Sequence, residues 1–114
     1  MQDATISALH AALGGLSARQ RTISDNIANL ETPQYLAGRV DFESSLSAAL
    51  EAGTDARSAT EASFTHSLDP TMPNGNNVSL DTETLSGIET NLRYQLATTA
   101  INNKFGLLRT AVNG

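Results

Sequence analysis

Reactive chemistry in this chain would have to come from two histidines, His10 and His66, from scattered Ser and Thr, and from the oxygen-rich stretch Asp69 to Asn77. A histidine can serve as a general base or a metal ligand, but each here lacks neighbours of the kind that would complete a site. The Asp69 to Asn77 stretch suggests calcium, yet Pro70 and Met72 fall where oxygen ligands belong, and no Glu closes the loop at the required step. Asn77-Val78-Ser79 matches a glycosylation sequon, a pattern short enough to arise by chance. Cysteine is absent, which excludes disulfides, thiol nucleophiles and thiolate metal sites. There is no Gly-x-Ser-x-Gly, phosphate loop or dinucleotide fingerprint. The expectation is therefore a protein that is not an enzyme, with no catalytic residues, no cofactor, no metal and no small-molecule substrate.

What remains is packing. The chain has 114 residues, room for one domain. Twelve acidic residues against seven basic ones give a net charge of −5 with no basic cluster, so nucleic acid is not expected as a partner. No run of about 20 apolar residues is present to span a bilayer. Asp3 and the late first basic residue, Arg19, argue against a cleavable secretory signal.

Asp3 or Thr5 can cap a first helix, along which Ile6, Leu9, Leu13, Leu16, Gln20, Ile23, Ile27 and Leu30 recur at alternating steps of three and four. This is a heptad seam with one polar place, roughly 25 residues or about 40 Å long. The helix should stop near Leu30 or Glu31, because Pro33 disfavours the α conformation at Thr32. Asn26, Asn29 and Thr32 can bond backbone groups left unpaired by its last turn. An extended segment should follow, then a short helix from Phe42 to Ala52, capped by Asp41 and closed by Gly53, with Phe42, Leu46 and Leu50 on one face. Residues 53–63 read as a flexible loop. Phe64, His66 and Leu68 alternate as in a short strand, and Pro73 to Asn77 is turn material.

A second long helix should start near Ser79 or Asp81 and run to about Val112. It carries two apolar stripes. One is Leu85, Ile88, Leu92 and Leu96, continuing through Thr99 and Asn103 to Leu107; the other is Tyr94, Ala97, Ile101, Phe105, Leu108 and Val112. At 100° per residue they lie on nearly opposite sides, and one partner helix covers only one side. The fold expected is mainly α. Long terminal helices, residues 1–32 and 79–114, pack as an antiparallel coiled-coil-like hairpin forming one helical domain. An extended, partly flexible middle segment, 33–78, joins them and holds the short helix. The surplus apolar face implies a subunit, with helices that order fully only on assembly.

The segment Asn26-Ile27-Ala28-Asn29, then Thr32-Pro33 and Tyr35, resembles the N-terminal signature of the flagellar rod and hook proteins. That family usually has Gly where Gln34 stands, and a side chain there argues against a tight turn with positive φ. Asn76-Asn77-Val78, ahead of the second long helix, resembles the proximal rod members of the family. The resemblance implies a structural subunit of the rod, the drive shaft of the basal body, lying outside the cytoplasmic membrane after export. Its implied partners are other rod proteins, copies of itself, the adaptor joining rod to membrane ring and, in transit, the flagellar type III export apparatus. Phe42-Glu43-Ser44-Ser45-Leu46 fits a Phe-x-x-x-apolar element that early-exported members dock at the export gate; packing of a short helix explains Phe42 and Leu46 equally well. Another axial protein of the same family, or a helical adaptor or chaperone-like module, are the alternatives.

Overall fold

The computed structural model describes residues 4–53 and 64–113. Its elements are α1 (Ala4–Ala28), β1 (Gly38–Val40), α2 (Glu43–Ala52), β2 (Phe64–His66) and α3 (Leu80–Asn113). Asp3 and residues 54–63, on which a cap and a loop were expected, lie outside the described residues.

The two long helices run antiparallel. Asn26 meets Glu83, Ile23 faces Gly87, and Ser17 and Gln20 line a cleft with Thr90 and Tyr94. Carried down the pair, this register sets Ala4 near Gly106, so the last turns of α3 project past the described start of α1. The described body is long and thin, 64 × 27 × 14 Å.

α1 ends at Ala28, and residues 29–31 continue as turns rather than to the helical end expected at Leu30 or Glu31. The amide of Asn29 bonds the Asp25 and Asn26 carbonyls, and that of Leu30 bonds Ile27. Thr32 still takes the Asn29 carbonyl (3.0 Å) before Pro33 ends the spiral.

β1 and β2 pair antiparallel, with Gly38 opposite His66, Arg39 opposite Thr65 and Val40 opposite Phe64. Gly38 is squeezed between α1 and β2. A Cβ there would lie 2.8 Å from the Phe64 ring and 2.9 Å from the Thr22 methyl, so the strand can approach the helix only without a side chain. Gly15 has the same role further down α1, where an added Cβ would enter the Phe42 ring. Phe42 is 4% exposed and sits one residue ahead of α2. α2 begins at Glu43, while Asp41 accepts from the Ser44 hydroxyl (3.2 Å) and amide (3.4 Å). Gly53, at φ 70°, closes α2 by donating to the Ala49 and Leu50 carbonyls.

Gln34 departs from expectation. It adopts φ 62°, the left-handed turn that its side chain argued against. The reason is tertiary: its amide donates to the Asn74 carbonyl (2.8 Å), and its backbone nests against Gly75, itself at φ 83°. A non-Gly residue there costs about 1 kcal/mol. Gln34→Gly is therefore expected to stabilise the chain, by up to about 1 kcal/mol if the gain exceeds the added unfolded-state entropy. Urea denaturation measures it, and destabilisation would show that the Gln34 side chain contributes more than its backbone strain costs.

Candidate functional site

The site is a joint of polar side chains where α1 ends, β1 passes and α3 begins. Asn26 lies in the last turn of α1 and is fully buried. Its Oδ1 accepts from the Gly38 amide (2.8 Å), and its Nδ2 donates to the Gly38 carbonyl (3.1 Å) and to Glu83 Oε1 (2.6 Å). Asn26 thus offers β1 the donor and acceptor that a neighbouring strand would supply. Its expected role at the helix's own end falls to Asn29 alone, whose Nδ2 donates to the Asp25 carbonyl (2.8 Å); the Thr32 hydroxyl, expected to bond backbone there, donates instead to the Asn29 side chain at Oδ1 (3.0 Å).

Glu83 is in the first turn of α3 with a side chain 0% exposed. Arg39 Nη1 pairs with its Oε2 (3.0 Å) and also donates to the Gly38 carbonyl (2.9 Å). The carboxylate therefore meets a cation, an amide and the positive end of a helix, which together offset its desolvation.

A second set of asparagines holds the lead-in to α3. Asn76 is fully buried. Its Nδ2 donates to the carbonyls of Asn29 (2.9 Å) and Thr32 (2.8 Å), and its Oδ1 accepts from the Val78 amide (2.7 Å). Asn77 Oδ1 accepts from the Ala37 amide (2.7 Å), and its Nδ2 donates to the carbonyls of Ser67 (3.1 Å) and Asp69 (3.2 Å). Val78 is buried, Pro33 is exposed and Tyr35 half-buried, its carbonyl accepting from the Asn77 amide (3.2 Å). Asn26, Asn29 and Asn76 to Val78 are thus brought together, with Ile27 and Ala28 on the outward side of the same turn. Among the described residues, no buried side-chain nitrogen or oxygen lacks a partner.

A third contact ties α2 to both long helices. Arg19 reaches Glu43 (2.6 Å) and the Val40 carbonyl (2.6 Å), its guanidinium lying 4.9 Å from the centre of the Phe42 ring. Arg93 of α3 reaches the other Glu43 oxygen (3.1 Å). The hydrogen bond from Arg19 holds the Glu43 carboxyl below its ordinary pKa, against the opposing effect of burial.

The apolar seams divide. On α1, Ile6, Leu16 and Ile23 are buried, Leu9, Leu13 and Leu30 half-buried, and Ile27 is 39% exposed. On α3 the face toward α1 is Glu83, Gly87, Thr90, Ala97 and Ile101, with Tyr94 on the same side but 42% exposed; only the lower half follows an apolar stripe. Phe105, Leu108 and Val112 continue that stripe but are largely exposed. The other stripe points away from α1: Leu85 is 60% exposed, Ile88 63%, Leu92 55%, Leu96 61% and Leu107 68%. Leu46 is half-buried beside Phe42. Sequence reasoning missed Gly38, Arg39 and Glu83. An acid at a helix start was visible, but no local signal marks it as buried.

No group of three or more His, Asp or Glu among the described residues could hold a metal, and no family model matches the sequence. Individual proteins do. The chain is 36% identical to the flagellar basal body rod protein FlgB of Bacillus subtilis, over 96% of this chain and 94% of that protein. FlgB of Escherichia coli is 27% identical over 98% of this chain and 96% of its own length. FlgB of Cereibacter sphaeroides is 32% identical over 84% of each chain.

Proposed function

The chain belongs to the FlgB family of flagellar basal body rod proteins, and from that premise we propose that it joins the rod through the outward face of α3. It is a structural component of the basal body rod, and its place in the cell is there. Our reading of the finer assignment is a subunit of the proximal rod with no catalytic activity. Its neighbours are copies of itself, other rod proteins and the adaptor to the membrane ring.

One observation carries this reading. Five large aliphatic side chains on α3 lie more than half exposed along one face, while the opposite face is occupied by α1. A contiguous apolar surface of this length is costly in water and is of the kind that marks an interaction site. Leu92→Asp tests it. The side chain makes little of its contact within the subunit, so stability should change by under about 1 kcal/mol. A charge buried between subunits is far more costly, and incorporation into basal bodies, scored by their composition and by motility, should be lost. Normal incorporation would remove this face from the interface.

We further propose that Phe42 and Leu46 dock at the export gate while the chain is unfolded. Phe42 is packed over Gly15 in the folded subunit, so the element is accessible only before folding. Joint Phe42→Ala and Leu46→Ala substitution should reduce export roughly tenfold or more with normal expression, since two apolar anchors carry such a contact. Gly15→Val is the control. It displaces the same ring from its folded packing but leaves both anchors intact, and should export normally.

A further inference from the structure

The turn that receives Gln34 contains an Asn-Gly step, Asn74-Gly75, one of two in the sequence; the other, Asn113-Gly114, lies partly outside the described residues. Every other Asn precedes a residue whose side chain crowds the next amide nitrogen. Glycine offers no such shield. The fold nevertheless requires glycine at 75. It sits at φ 83°, and a Cβ there would lie 3.1 Å from Gln34 Cγ and 3.2 Å from Gln34 Cα. Asn74 is exposed, so water reaches it.

We propose that Asn74 is a site of spontaneous covalent modification: it converts to aspartate and isoaspartate while the chain is unfolded, and the folded turn suppresses the reaction. The Gly75 amide gives its proton to hydroxide, and its nitrogen bonds to Asn74 Cγ. The Cγ–Nδ2 bond breaks, Nδ2 takes a proton from water and leaves as ammonia, and a five-membered imide remains. Water then opens the imide. Cleavage at Cγ leaves aspartate with the backbone intact. Cleavage at the Asn74 backbone carbonyl leaves isoaspartate, whose chain runs through the former side chain. One water is consumed and one ammonia released, and nothing is oxidised or reduced.

Three contacts engage the reacting groups in the fold. The Gly75 amide donates to the Met72 carbonyl (2.8 Å), which retains the proton that must be lost. Asn74 Oδ1 accepts from the Asn76 amide (3.1 Å), which fixes the side chain that must swing. The Asn74 carbonyl accepts from the Gln34 amide (2.8 Å), which fixes the peptide between them. The turn must open before the new bond forms, so the rate falls with its opening equilibrium. Isoaspartate lengthens the backbone by one carbon between the partner of Gln34 and Gly75, and adds a negative charge. An aged chain therefore loses the turn that joins the exit of α1 to the entrance of α3. None of this depends on which face of α3 meets neighbours.

The full chain in guanidinium chloride and purified basal bodies containing it are incubated side by side at the same mildly alkaline pH. Peptides are then read by mass and by labelling with an isoaspartate methyltransferase. The denatured chain should gain isoaspartate at Asn74 about tenfold or more faster than at Asn76 or Asn103. In basal bodies Asn74 should convert at least about tenfold more slowly than in denaturant. Asn74→Gln should abolish the signal in the denatured chain, because its longer side chain would have to close a larger ring. Equal conversion at Asn74 and Asn103 in the denatured chain, or equal rates at Asn74 in denaturant and in basal bodies, would overturn the proposal.

Discussion

Asn26→Leu is expected to cost about 3–5 kcal/mol and to leave the isolated chain largely unfolded at room temperature. Leu nearly matches Asn in length, so the loss is one of hydrogen bonds rather than volume. The Gly38 amide, buried under α1, loses its acceptor at 2.8 Å. Glu83 loses the amide donor at 2.6 Å and keeps only Arg39. A buried N–H without a partner costs roughly 1–3 kcal/mol, and a buried carboxylate short of a donor costs more. Gly38 cannot swing out to water, because Thr22 and Phe64 close on either side of it. Far-UV circular dichroism across a urea titration reads the change. An unfolding free energy within about 0.5 kcal/mol of the parent would show that the joint does not hold the helices together.

Asn76→Leu should be nearly as damaging, at about 3–4 kcal/mol, for a related reason. Asn76 closes the turns after α1 by donating to the carbonyls of Asn29 and Thr32, and closes the turn before α3 by accepting from Val78. One side chain thus joins the exit of the first helix to the entrance of the second. Its removal leaves the Val78 amide with no acceptor in a buried place. Hydrogen exchange should show the Val78 amide exchanging at least about a hundredfold faster, because local opening then costs almost 3 kcal/mol less. Protection lost evenly along both helices, with none concentrated at the turn, would place the effect elsewhere.

These two residues explain why the long helices meet at a fixed register although α3 offers α1 little grease in its upper half. Glu83, Gly87 and Thr90 form a polar, narrow face. Its stability comes from the joint and from close approach, with Gly87 facing Ile23. The large side chains of the same turns are left to point outward, where neighbours can use them. Fixing the pair by hydrogen bonds therefore leaves the apolar face of α3 uncovered by α1, as the proposed assembly requires.

Much of this architecture is readable from local order. Steps of three and four place both long helices, Pro33 ends the first spiral, Gly53 ends α2, and alternation at Phe64 and His66 marks β2. That α3 has more apolar surface than one partner can cover is also plain in the sequence, because periodicity reports which side chains gain by leaving water. Periodicity does not report which of two faces turns inward. That choice was made by Asn26 and Glu83, which bond each other across 57 residues of sequence, and by Gly38 and Arg39 between them. The left-handed turn at Gln34 was likewise decided from outside, by the Asn74 carbonyl and Gly75. A polar residue reads as a surface residue until its partner is known, and the partner is supplied by the fold.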